Sequence, residues 1–169
     1  VCACVCGTSK LEQQDNLKNM SVSNDVLTAS ASSGNANFNC FSFSDSVMTT
    51  GAGFVHASIT DAVNDASTVN GIFGLLKEKP RATDTVLNSD KYILGIRVAA
   101  GGGVFSIVDG VEKDSLLTIN ANDKLIIAFE LGKVSFRIDT GGDQNNYNQF
   151  REETFEYTTN GYHAACSLR

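Results

Sequence analysis

The chain has 169 residues, of which 42% are hydrophobic and 19% charged, and its formal net charge is −6. This length supports one domain with a hydrophobic core and is marginal for two. The 13 basic residues are scattered, which excludes a nucleic-acid interface built on a basic patch, and no apolar run reaches the roughly 18 residues of a membrane span.

Residues 1–24 are predicted to form a Cys-rich strand followed by a connector. The five cysteines are Cys2, Cys4, Cys6, Cys40 and Cys166. In a strand the first three share one face, roughly 7 Å apart, which is too far for pairing among themselves. Three interpretations stay open: a buried apolar strand, disulfides within or between chains, and a thiolate metal site.

Residues 9–20 are predicted to form a short helix. Ser9 and Glu12 have the spacing of a capping box, and Leu11, Leu17 and Met20 could share one face. A solvated connector fits this segment equally well, since so few apolar residues fall on that face.

Residues 25–169 change to a period of two, in which apolar and small polar residues alternate between Gly, Ser, Asn and Asp turns. About eleven short antiparallel strands with a turn signal roughly every 8–12 residues are typical of an all-β sandwich or jelly roll. The predicted strands are 26–32, 38–44, 53–60, 71–76, 92–100, 104–110, 115–120, 124–131, 133–139, 152–158 and 163–169.

The segment 123–142, "DKLIIAFELGKVSFRIDTGG", predicts a hairpin with its turn at Gly132. One face is apolar on both strands, and the other carries Glu130, Ser135, Arg137 and Asp139. A hairpin with one apolar face requires a second sheet to cover it. The apolar positions are Leu125, Ile127, Phe129, Leu131, Val134, Phe136 and Ile138.

Three segments are predicted to be loops or bends. Residues 77–90, with the only proline and a dense mix of charges, predict a surface loop. The three glycines of 99–104 predict a bend or bulge where another backbone comes close. Residues 140–149 form the most polar loop. It offers side chains suited to a sugar or to calcium, although their spacing matches no calcium loop. These candidate ligand residues are Asp139, Asp143, Asn145, Asn146 and Tyr147.

No catalytic residues are assigned. Glycosidases need two carboxylates flanking the scissile bond, and the candidates are Glu112, Asp114, Glu152, Glu153 and Glu156. With no Trp in the chain and no aromatic cluster beside them, we interpret these carboxylates as solvated side chains on an outer face, with Glu152 and Glu156 sharing one face of a strand. His56 and His163 are expected to be structural.

The order of several segments is similar to the concanavalin A-like (lectin/SPRY-like) jelly roll of bacterial surface proteins, Rhs-type proteins and phage fibres. The matching pieces are "DVLTASASSGNANFNCFSFSD", "GAGFVHASI", "IFGLLKE", the run "YILGIRVAAGGGVFSIVDGVEKDSLLTINANDKLIIAFELGKVSFRID" and "GYHAACSLR", within residues 25–169. The resemblance implies a β-sandwich in extracellular binding or scaffolding, but no particular ligand, because one fold serves many functions. It also implies that the N-terminal segment or a neighbour supplies one strand.

Together these observations favour a non-enzymatic structural or assembly module of a surface appendage, fibre or virion. A carbohydrate- or receptor-binding module is the alternative. The expected partners are further copies or other structural subunits, or a glycan or cell-surface receptor, outside the cell or on a virion. No cofactor is expected, and calcium is the one ion that the polar loop could take.

Overall fold

The computed structural model describes residues 2–5, 11–13, 20–23, 26–29, 40–48, 53–59, 70–81, 83–84, 86–119, 123–130, 132–139, 148–156 and 161–168. Side chains are described for Phe41 and Phe43 and for these residues from Asn70 to Ser167. The strands are β1 (Cys2–Val5), β2 (Leu11–Gln13), β3 (Met20–Ser23), β4 (Val26–Ala29), β5 (Cys40–Met48), β6 (Gly53–Ile59), β7 (Gly71–Leu76), β8 (Tyr92–Val98), β9 (Gly103–Val108), β10 (Val111–Thr118), β11 (Lys124–Glu130), β12 (Lys133–Asp139), β13 (Asn148–Thr154) and β14 (Tyr162–Leu168).

These strands form two seven-stranded sheets in which every described pairing is antiparallel. Sheet I has the order β13-β12-β11-β6-β1-β4-β3, and sheet II has the order β10-β9-β8-β7-β14-β5-β2. The helical content of the described residues is one 3-10 turn, Ser89–Lys91, and none of their helical structure is long and apolar enough to cross a membrane. The predicted all-β antiparallel sandwich is confirmed.

The predicted number of about eleven strands is wrong, because the described residues contain fourteen, eight of them from Gly71 onward. The difference arises in the first 24 residues, which hold three strands. β1 lies inside sheet I, paired with both β4 and β6, so the N-terminal segment does supply a strand to the sandwich.

The helix predicted over residues 9–20 is also wrong where the structure describes it. Leu11–Gln13 is a strand paired with β5, and Met20 begins β3, paired with β4. The capping-box spacing is a local signal, whereas a three-residue edge strand is determined by hydrogen bonds to a strand some thirty residues away.

The main core lies between the two sheets and contains the predicted apolar face of the β11–β12 hairpin. Leu125, Ile127 and Phe136 are each 0% exposed and pack with residues of β7, β8 and β14 from sheet II. Gly132 lies at the hairpin turn with φ of +79°. Leu131 is outside the described residues. On the opposite face Ser135 and Asp139 are buried.

A second, smaller core lies on the outer face of sheet II and is covered in part by the predicted surface loop. Leu87 and Pro80 of this loop are buried, and Leu87 packs in one cluster with Phe43 and Ile107. Lys79 Nζ lies 5.5 Å from the centre of the Phe43 ring. The loop is therefore fixed to the sheet by its few apolar residues, although charged and polar side chains predominate in it.

The glycine-rich segment forms the predicted bend. Gly101 and Gly102 have φ of +86° and +78°, and the Ile119 N–H donates to the Gly102 carbonyl at 2.9 Å. A second backbone therefore does come close at this point, and the bend joins β8 to β9.

Candidate functional site

β10 is one edge strand of sheet II and β13 is one edge strand of sheet I, and charged side chains join the two along one side of the sandwich. Lys113 on β10 contacts the Glu153 carboxylate on β13 at 2.7 Å. Arg151 on β13 donates to the carbonyl oxygen of Asp114 at 2.6 Å and lies 3.5 Å from Glu153. These contacts cover an edge that would otherwise expose unpaired backbone groups.

Two further ion pairs hold Glu112 of β10 and Glu152 of β13. Lys133 Nζ lies 2.9 Å from Glu152 Oε1. Arg97 binds Glu112 through two nitrogens, at 2.9 and 2.8 Å, and its guanidinium stacks 4.2 Å from the centre of the Phe105 ring. This planar geometry suits an arginine held by a carboxylate and an aromatic ring together.

The ion pairs lower the pKa values of two of the five candidate carboxylates, Glu152 and Glu153. The hydrogen bond from Lys133 lowers the pKa of Glu152 below its ordinary value. The hydrogen bond from Lys113 likewise lowers the pKa of Glu153, against an opposing effect of burial. A glycosidase general acid needs a raised pKa, so the geometry suits these two groups to ion pairing. β13 ends at Thr154, and Glu156 therefore does not share a strand face with Glu152, contrary to the prediction.

Replacing Glu153 with glutamine should reduce the acid sensitivity of the fold. The folded-state pKa of Glu153 is depressed from its ordinary value of 4.5, so its contribution to stability is present above about pH 4.5 and is lost as pH falls through the folded pKa. The urea midpoint of the parent should therefore fall more between about pH 5 and pH 3 than that of Glu153→Gln. Glu156→Gln is the control, and an equal pH dependence in the parent and Glu153→Gln would contradict the prediction.

Two large hydrophobic side chains are exposed among the described residues, and both lie on β10. Val111 is 59% exposed and Leu116 is 90% exposed. The pairing of β10 with β9 shifts between Asp114 and Thr118, which forms a bulge, and Leu116 lies in this bulge with φ of +58°. Bulges re-aim side chains at sheet edges, and this one directs a leucine into solvent.

The predicted ligand loop lies mostly outside the described residues. Asn145, Asn146 and Tyr147, together with Asp143, are among the residues that the structure does not describe, so their assignment stays a prediction. Asp139, at the end of β12, is 1% exposed. The predicted loop is shorter than residues 140–149, since Asn148 and Gln149 already belong to β13.

The pairing of the cysteines also stays a prediction. Cys166 on β14 is fully buried in the main core, and Cys40 lies on the adjacent strand β5, two register positions away. Cys2 and Cys4 lie on β1, opposite Ile59 and Ala57 of β6. Cys6 is outside the described residues. His163, expected to be structural, is buried on β14 at 9% exposure, and the His56 side chain is not described.

Sequence reasoning did not single out Arg97, Arg151, Val111 or Leu116. Arg151 contacts β10 from the other sheet, 37 residues away in sequence, and no local pattern predicts such a contact. The adjacent leucines of "KDSLLT" do break the alternation of β10, and this break was the one available signal of a bulge.

No protein-family model and no curated protein sequence matches this chain. Solved structures do match it. The TRIM65 PSpry domain aligns with a TM-score of 0.58 at 10% identity, covering 98% of this chain and 96% of that domain. Stonustoxin aligns with a TM-score of 0.57 at 13% identity, covering 94% of this chain.

The VIP36 exoplasmic/lumenal domain, in a form with bound Ca²⁺ and Man2, aligns with a TM-score of 0.54 at 10% identity, over 76% of this chain. The chain spans 63% of that domain and 26% of the stonustoxin chain. At these identities the matches establish the fold, which is a concanavalin A-like, SPRY-like jelly roll.

Proposed function

We propose that this protein is a non-enzymatic extracellular structural or assembly module, a subunit or domain of a surface appendage, fibre or virion, that works by binding another protein. The observation that carries the proposal is the position of the exposed apolar side chains. Val111 and Leu116 both lie on the edge strand β10, and they are the two large apolar side chains that are exposed among the described residues. Large apolar side chains that stay exposed on an edge strand are available for contact with another protein.

The charged groups around this edge support a role in binding over one in catalysis. Glu112, Glu152 and Glu153 are each held by a cation, and the pKa values of Glu152 and Glu153 are lowered. Carboxylates held in ion pairs fix the positions of the side chains on this edge. The low overall charge and the five cysteines are compatible with a place outside the cell, where disulfides persist.

Chemical cross-linking of the full chain in its native source tests the proposal. We expect a discrete cross-linked species heavier than the 18.0 kDa chain, because an assembly module is held in contact with its neighbour. Unfolding the sample in guanidinium before cross-linking is the control and should abolish this species. A chain that stays at 18.0 kDa under native conditions would contradict the proposal.

A carbohydrate-binding module is the second candidate, favoured by one end of the β11–β12 hairpin. Asp123 and Asp139 are both buried there, beside the polar loop, and the similar VIP36 domain was solved with Ca²⁺ and Man2. A glycan array run with calcium and with chelator separates the two functions. Binding that is lost in Tyr147→Ala would indicate a lectin, and a blank array together with a cross-linked species would indicate assembly.

A further inference from the structure

The most unusual feature of the described surface is Leu116, which combines 90% exposure with a φ of +58°. A left-handed backbone conformation is uncommon for residues other than Gly, Asn and Asp. A leucine that stays exposed in the folded protein also adds little hydrophobic stabilisation to the fold. Folding alone therefore does not favour leucine here. Strain of this kind, held by its surroundings, is found at functional sites.

The bulge that holds Leu116 is built by two specific side chains. Asp114 Oδ1 accepts the Leu116 N–H at 2.9 Å. Ser115 Oγ donates to the Val104 carbonyl at 2.6 Å and accepts the Leu117 N–H at 3.3 Å. Short side-chain bonds to the backbone two residues on stabilise a turn at the expense of the sheet ladder. These hydrogen bonds therefore hold the backbone at Leu116 in a fixed position.

We propose that Leu116 docks into an apolar pocket of a different protein whose pocket carries a Lys or Arg at its rim. This inference rests on the proposed function and names the docking residue and the chemistry of the partner. The occupied backbone groups of the edge, its charge and the charge of the whole chain support it.

Docking by the addition of a partner strand to β10 is disfavoured at the bulge. The N–H groups of Leu116 and Leu117 are already accepted by side chains, and the Asp114 carbonyl accepts Arg151. A partner strand needs these groups for its own ladder. Contact must therefore be made through the side chain.

A second copy of the chain is also a poor partner for this edge. The Asp114 carbonyl points away from β9 toward Arg151. Along an antiparallel strand every second residue turns its N–H and C=O groups to the same side. In the regularly paired residues of β10, Glu112 and Asp114 are therefore the ones whose backbone groups face away from β9. Overlapping two such strands antiparallel brings an acid of one copy opposite an acid of the other, and like charges directly opposite are destabilising.

The charge beside Leu116 indicates the chemistry of the pocket rim. Asp114 is exposed and makes no ion pair among the described residues, whereas Lys113 and Arg151 both contact Glu153. The whole chain carries a net charge of −6. A basic side chain at the rim would face Asp114 and would raise the rate of association.

Site-specific photocross-linking of the full chain in its native source tests this inference. p-Benzoylphenylalanine is placed at 116 in one variant and at 154, on the exposed part of β13, in another. We expect a cross-linked protein at 116 and none at 154. That protein is then identified, purified and titrated with the parent chain and with two variants.

Leu116→Asn should weaken binding at least about tenfold, the effect of losing a docking anchor. Its urea midpoint should be equal to or above that of the parent, because Asn adopts the left-handed conformation more readily. Asp114→Asn keeps the oxygen that accepts the Leu116 N–H and removes the charge. It should weaken binding several-fold and reduce its dependence on salt.

A cross-link at 154 and not at 116 would place the docking surface elsewhere and overturn the inference. A cross-link to a second copy, or a partner without a basic residue at the cross-linked pocket, would also overturn it. So would a Leu116→Asn variant of lower stability, since the leucine would then serve the fold. Absence of cross-links at both positions, together with a chain that stays at 18.0 kDa in chemical cross-linking, would contradict the proposed function itself.

Discussion

Replacing Gly74 with alanine should lower the free energy of unfolding by about 3 kcal/mol or more, since the new methyl group has nowhere to go. Gly74 on β7 lies directly opposite Gly95 on β8. A Cβ added at Gly74 would collide with the carbonyl oxygen of Leu94 and would lie 2.6 Å from the Gly95 Cα. Both obstacles are backbone atoms of a central strand, so no rotamer change relieves the overlap.

Gly103→Ala on β9 is the matched control. A Cβ added there lies 3.7 Å from the Phe105 ring, which is an ordinary contact, and the stability should change by less than about 1 kcal/mol. Urea unfolding of both variants measures the difference. Equal midpoints for Gly74→Ala and the parent would mean that β7 and β8 can separate locally, contrary to the structure.

The fold was predictable from the sequence because its main signal is local. Leu125, Ile127 and Phe129 recur at every second position, so a half-buried strand follows from period alone. Gly132 between two such runs defines the turn. Each predicted strand from 71–76 onward overlaps an observed strand, and differences at their ends are a few residues.

The candidate site was not predictable, because it depends on contacts between distant residues. Lys113 and Glu153 are 40 residues apart and meet because β10 and β13 are edges of different sheets. The bulge decides which of two adjacent leucines faces inward: Leu117 is partly buried and packs against the main core, whereas Leu116 is exposed. Leu87 shows the same limit, since a few apolar residues in a mostly polar loop give no pattern, yet Leu87 packs into the second core.

Replacing Leu125 with alanine should destabilise the protein by about 2–5 kcal/mol, the range for a buried leucine that leaves a cavity. Leu125 is 0% exposed and belongs to the main core. Leu116→Ala removes the same atoms from a side chain that is 90% exposed, so its effect should be within about 0.5 kcal/mol.

The comparison of these two variants separates packing from function, because the chemistry of the substitution is identical. Urea unfolding should show a large loss for Leu125→Ala alone, while a binding assay with the identified partner should show a large loss for Leu116→Ala, which stays folded. If both variants lost stability equally, Leu116 would belong to the core and could not be the residue that docks into a partner.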